Sequence, residues 1–211
     1  METRRRILAV AREQLPAADA LRVEEIARLA EVSVQTLYSH FGSKGGLFLA
    51  MADEIEKEAG LQAGFEAIWR AKHGEAALRT ALDAALKLWD SSWNFIAFTL
   101  RARRTDAELR VRLEGFDKSR LGHLEVICRR LQEERRLADG LTAAGAARLA
   151  FALTTPYVYE AMVVEGGLSA RASRSLLINS VSRVVLKSGS QPVPTQSIDW
   201  NRLGLRSTTL G

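Results

Sequence analysis

Gln35, Thr36 and Ser39 fall together on one side of a predicted helix that begins just after Ser33. The apolar residues of the same stretch, Val34, Leu37 and Phe41, recur at i, i+3 and i+7 and define the opposite, core-facing arc. A glutamine can bond bidentately to an adenine edge and a threonine methyl can touch a thymine methyl, so such a row suits readout of a major groove. Tyr38 and His40 flank the row, where they would meet phosphates that position a protein without specifying sequence. Lys44 opens the next predicted helix, and its ammonium beside that helix's free amides makes a phosphate grip. The alternative is a three-helix packing module with no nucleic-acid partner. Tyr38 and Phe41 would then be core aromatics, and His40 a packed or capping side chain.

The elements that must hold this row are legible around it. A first helix is predicted from about Thr3 to Leu15, with Ile7, Leu8, Ala11 and Leu15 on its buried face and Pro16 ending it. A short helix over roughly 22–30 carries Val23, Ile26, Ala27 and Ala30 on one face and is joined by Glu31 and Val32 to the next, over 33–40. Ser33 stands at the N-cap of that helix, its hydroxyl placed to accept from the amide of Gln35 or Thr36. Gly42 fits the C′ position, and Ser43 caps the helix starting at Lys44. Arg4, Arg5 and Arg6 read as a solvated basic face that can, as a group, also track phosphate.

The run Val32-Ser33-Val34-Gln35-Thr36-Leu37-Tyr38-Ser39-His40-Phe41-Gly42-Ser43-Lys44, with Glu25-Ile26-Ala27 before it and Leu47 after it, resembles the helix-turn-helix signature of TetR-family regulators. The resemblance covers about the first fifty residues. It implies base-edge roles for Gln35 and Thr36, backbone roles for Tyr38, His40 and Lys44, and a DNA-contacting segment that also takes in Ser33, Val34 and Ser39. It implies an all-α chain: a three-helix DNA-binding domain over 1–48, then a helical effector-binding and dimerisation domain over 49–187. The expected function is that of a repressor, a homodimer on a palindromic double-stranded operator that a small-molecule effector releases. Two departures stand out. Glu31 occupies a turn position where the family commonly has Gly, and Leu21 and Arg22 stand where a capping Thr is usual.

Beyond residue 50 no comparably specific motif occurs. The helix from Lys44 is expected to be long, with others near 75–90, 92–103, 106–137, 142–165 and 170–187. Pro156 should kink the helix over 142–165. Leu177, Val181 and Val184, with Leu176 and Val185 beside them, form a stripe suited to a partner helix, or else to burial within one chain. By resemblance, the last two helices would pair with those of a second subunit. Aromatics gather at Trp89, Trp93, Phe95 and Phe98 and again at Phe151, Tyr157 and Tyr159. Trp89, Trp93, Phe98, Tyr157 and Tyr159 are the candidates for an apolar effector pocket, set against the ordinary expectation that such residues form core. After Lys187 the prolines and small polar residues predict a flexible tail over 188–211, with Trp200 and Leu205 as docking points.

The totals agree with this reading without requiring it. The chain has 211 residues, 47% of them hydrophobic, and its net charge of +5 permits contact with polyanions. Cys128 is the only cysteine, which excludes an internal disulfide framework and a cysteine metal cluster and suits a reducing compartment. The apolar run near the N-terminus is cut by Arg12 and Glu13, too short for a signal peptide, and no stretch reaches the roughly 20 apolar residues of a membrane span. The chain is therefore expected in the cytoplasm, with no membrane, metal or cofactor. The other readings are a ligand-independent architectural DNA-binding protein and a helical-bundle enzyme. For the enzyme the sequence offers little: His40, His73 and His123 are far apart, and no HExxH motif or glycine-rich phosphate loop occurs.

Overall fold

The computed structural model describes residues 2–187, and the tail expected over 188–211, with Trp200 and Leu205, lies outside them. The helices are α1 (Glu2–Gln14), α2 (Val23–Leu29), α3 (Val34–Phe41), α4 (Lys44–Glu58), α5 (Leu61–Arg70), α6 (Gly74–Ser91), α7 (Trp93–Thr105), α8 (Ala107–Glu133), α9 (Ala143–Leu153), α10 (Pro156–Tyr159) and α11 (Ala170–Val185). A π-helical turn, Glu160–Glu165, follows α10. Among the described residues no strand forms, and the one β-bridge pairs Leu137 with Leu186. No helix among them is long and apolar enough to cross a membrane. The fold is all-α, an N-terminal helix-turn-helix followed by a helical C-terminal region.

Two compact units share the chain. Of the described residues, the first holds those up to Arg70 with Lys87–His123, the second Ala71–Leu86 with those after His123.

In the first unit, the faces read from periodicity bury on α1 and α2, whereas on α3 only Leu37 of the expected arc is buried and Val34 and Phe41 are half-buried. Ile7, Leu8 and Ala11 of α1, Leu15 just beyond it, Val23, Ile26 and Ala27 of α2, Ala30, and Leu37 of α3 form the interior of the three-helix group. Phe48, Met51 and Phe98 extend that interior, with Phe48 stacked on Phe95 at a centroid separation of 5.4 Å. Complete burial of a large apolar side chain stabilises by about 1.5–3 kcal/mol, so these contacts outweigh any single polar one.

Alanines at 143, 146, 147 and 150 give α9 of the second unit a low-relief buried face, and α9 packs on α11. Of the stripe expected to meet a partner helix, Leu177, Val181 and Val185 are buried within the chain, Leu176 is half-buried and Val184 is exposed.

Three expected helices differ in extent. The long helix from Lys44 breaks at Gly60, whose φ of 68° ends α4 before α5 begins. The helix expected over 106–137 stops at Glu133, where Arg135 turns left-handed with φ 55° and the Arg136 amide donates back to the Leu131 carbonyl. The helix expected over 142–165 does not kink at Pro156 but stops at Leu153 and restarts, with Pro156 in the first turn of α10. A missing N–H costs nothing there, because the first amides of a helix have no intrahelical partner.

Candidate nucleic-acid interface

Local bonds fix each end of α3. The Ser33 hydroxyl accepts from the Thr36 amide at 3.0 Å and lies 2.8 Å from the Thr36 hydroxyl, so the cap also orients one of the proposed base-reading side chains. Ser39 donates from Oγ to the Thr36 carbonyl at 2.8 Å, which holds its side chain against the helix. At the far end the Gly42 amide donates to the Tyr38 carbonyl at 2.7 Å, with φ 74° and ψ −48° that a side chain would oppose. Ser43 then caps α4 by accepting from the Gly46 amide at 2.9 Å.

The turn before α3 shows how the chain accommodates its unusual residue. Glu31 sits at φ 52°, and the Val32 amide donates to the Ala27 carbonyl at 2.9 Å, closing α2 in the six-to-one manner of a Schellman end. A non-glycine residue pays about 1–2 kcal/mol for that left-handed backbone. Arg22, at the N-cap of α2, makes no side-chain cap bond.

The row of residues that carries the argument faces outward. Gln35, Tyr38, Ser39 and His40 are exposed, Val34 and Thr36 are half-buried, and Leu37 between them is fully buried. An open cleft of about 550 Å³ borders the row and brings Tyr38, Ser43 and Lys44 to one opening with the acidic Glu24 and Glu108.

Lys44 is engaged rather than free. Its Nζ lies 2.7 Å from Oδ2 of Asp106, a carboxylate almost completely buried at the start of α8. Oδ1 of Asp106 accepts from the amides of Glu108 at 3.1 Å and Leu109 at 3.2 Å, so one side chain caps α8 and holds the lysine. Beside it the Gly45 amide donates to Oε1 of Glu108 at 2.7 Å, and a Cβ on Gly45 would collide with that oxygen. Sequence reasoning missed Asp106 and Glu108. Asp followed by Ala-Glu-Leu is a visible N-cap signal, but nothing local says that its second oxygen faces Lys44.

Two N-terminal arginines have structural partners. Arg6 donates from Nε to the Ala30 carbonyl at 2.9 Å, and the Arg4 guanidinium lies over the Phe41 ring, 5.3 Å from its centroid. His40 stays exposed, its ring tilted against that of Phe41.

The candidates for effector binding are shared between the two units. Trp89, Trp93 and Phe98 belong to the first unit, Trp89 and Phe98 buried and Trp93 half-buried. Tyr157, exposed, and Tyr159, buried, belong to the second. Arg120 lies 5.7 Å from the Trp89 centroid, and burial pushes its guanidinium down to about 10 against the opposing pull of Asp117. Among the described residues no group of three or more His, Cys, Asp or Glu is placed to hold a metal ion.

Residues 7–51 match the model of the family described as bacterial regulatory proteins, tetR family. No curated protein matches the sequence. Solved structures of similar fold include a TetR-family transcriptional regulator from Rhodococcus sp., 23% identical over 87% of this chain and 99% of that one, with a TM-score of 0.68. NalD from Pseudomonas aeruginosa, the secondary repressor of the MexAB-OprM multidrug efflux pump, is 20% identical over 90% of this chain and 98% of its own, with a TM-score of 0.70. The regulator FadR from Bacillus subtilis, in complex with stearoyl-CoA, is 20% identical over 89% of this chain and 99% of its own, with a TM-score of 0.66. At these identities the likeness is one of fold.

Proposed function

We propose that this chain, whose residues 7–51 match the model of the tetR family of bacterial regulatory proteins, is a transcriptional repressor that binds a palindromic operator as a homodimer and leaves it when a small molecule binds. It works in the cytoplasm as a binding protein, not a catalyst. The observation that carries this reading is the row on α3, exposed Gln35 and Ser39 with half-buried Thr36, held by caps at both ends of the helix. Gln35 and Thr36 read base edges, while Tyr38, His40 and Lys44 meet the phosphates on either side.

Dimerisation follows from the need to read two half-sites related by the protein's own two-fold axis. Exposed apolar residues at Leu149, Tyr157, Val164 and Val184 of the second unit support a partner surface there. Effector release is proposed from the fold shared with NalD and FadR, the second of which holds stearoyl-CoA. An effector acts by binding more tightly to a state whose recognition helices are wrongly spaced. Trp89, Trp93, Phe98, Tyr157 and Tyr159 remain the proposed contacts for it.

Selection of purified protein against a randomised duplex pool tests the reading, with a Gln35→Ala, Tyr38→Ala double variant as control. Recovery of an inverted repeat that the variant loses is the expected result. No enrichment even at low salt, where phosphate contacts are strongest, would reduce the first three helices to a packing module.

A further inference from the structure

The first two donors of α4, the Lys44 ammonium at the cleft and the amide of the buried Gly45 behind Glu108, are already held by carboxylates of the same chain. The Lys44 ammonium and the Gly45 amide each meet an acidic oxygen at 2.7 Å, the separation of a charge-assisted bond, and phosphate oxygens would seek the same two groups. The two acids differ in how firmly they are placed. Asp106 is buried and spends its other oxygen on the first amides of α8, so it is built into the fold. Glu108 is exposed, borders the cleft shared by Tyr38, Ser43 and Lys44, and has the Gly45 amide as its bonded partner.

We propose that Glu108 is an internal competitor for DNA phosphate, occupying the Gly45 amide in the DNA-free protein and being displaced from it when an operator phosphate enters the cleft. This rests on the proposed DNA-binding role of α3 and the start of α4. Asp106 stays in place throughout and keeps Lys44 extended along the cleft wall, where its ammonium meets the incoming phosphate. The displaced Glu108 carboxylate, with Glu24 on the same opening, then stands close to the DNA backbone and weakens binding by like-charge repulsion. Glu108 thereby sets operator affinity, and with it the ease of release, without touching a base.

Glu108→Gln isolates the charge, because the amide oxygen can still accept from Gly45. Glu114→Gln makes the same charge change on the same helix, at an exposed position outside the cleft lining. Affinity for the selected operator is measured by fluorescence anisotropy across a salt series. Glu108→Gln is expected to bind about three- to tenfold more tightly near 0.15 M salt, with a steeper dependence of log K on log salt, by up to about one ion. Glu114→Gln should match the wild type. Unchanged or weaker binding by Glu108→Gln, or an equal gain from Glu114→Gln, overturns the competition while leaving operator binding intact. If the wild type and Glu108→Gln both fail to bind any duplex, the DNA-binding reading falls and the competition falls with it.

Discussion

The Arg101 guanidinium closes the end of α1: its Nη2 donates to the Leu15 carbonyl at 2.8 Å. The same group reaches the Pro16 carbonyl at 3.2 Å, and its Nε donates to Ala18 at 2.9 Å. These carbonyls lie in the turn just beyond Gln14, where a cation also opposes the negative end of the α1 dipole. One side chain of α7 thus satisfies three backbone groups at the exit of α1.

Arg101→Ala should therefore cost about 1.5–3 kcal/mol, the range for hydrogen bonds to a charged group. Arg101→Lys should recover only part of that, since an ammonium cannot reproduce the planar fork. Urea unfolding followed by circular dichroism measures both. A midpoint for the alanine variant equal to the wild type would show that water replaces the guanidinium without loss.

Removal of the Ser33 hydroxyl has two consequences. As an N-cap it contributes about 1 kcal/mol, so Ser33→Ala should lower the melting temperature measurably. Because Ser33 also lies 2.8 Å from the Thr36 hydroxyl, the variant frees that side chain to rotate. Operator binding should then lose preference at one base pair in each half-site, read by competition with singly substituted duplexes. Lost stability with unchanged preference would assign Ser33 to capping alone.

Cys128 is inaccessible, and burial with the nearby Glu125 charge pushes its thiol up to about 11. At pH 8 the thiolate fraction is then on the order of one in a thousand, and even that fraction is shielded from solvent. A thiol reagent such as Ellman's should react slowly with the folded protein and within seconds in denaturing urea. Fast native reaction would mean that α8 opens locally around Cys128.

What the sequence made legible was what depends on near neighbours. Ser33 with Thr36, Ser43 with Gly46, and the buried faces of α1 and α2 follow from residue type and a spacing of three or four. The contacts that tie the N-terminal helices to α7 and α8 join residues 63 and 86 positions apart, Gly45 to Glu108 and Arg101 to Leu15, and no periodicity encodes such a meeting. Pro156 was misread for a related reason. Its ring announces a disturbance, but the helix has already ended at Leu153, where the buried Thr154 hydroxyl donates to the Ala150 carbonyl at 2.6 Å. The aromatic candidates look alike in sequence, and the two clusters they form along the chain fall one in each unit.

The second unit leaves Leu149 of α9 and Val184 of α11 more than a third exposed, at 37% and 47%, while Leu177, Val181 and Val185 turn inward. If the proposed dimer forms through these two helices, the outward residues carry it, and a charge placed there opposes it directly. Val184→Asp leaves the buried side of α11 untouched, so it should change the unfolding midpoint of the isolated chain little, as exposed substitutions generally do. Burying a carboxylate against a partner is costly, so the dimer should give way to a monomer in sedimentation velocity at micromolar concentration. Binding to the inverted repeat should fall at least tenfold, because one head then contacts one half-site. A Val184→Asp protein that still sediments as a dimer would move the interface away from α11, and Leu149→Glu would then decide whether α9 alone provides it.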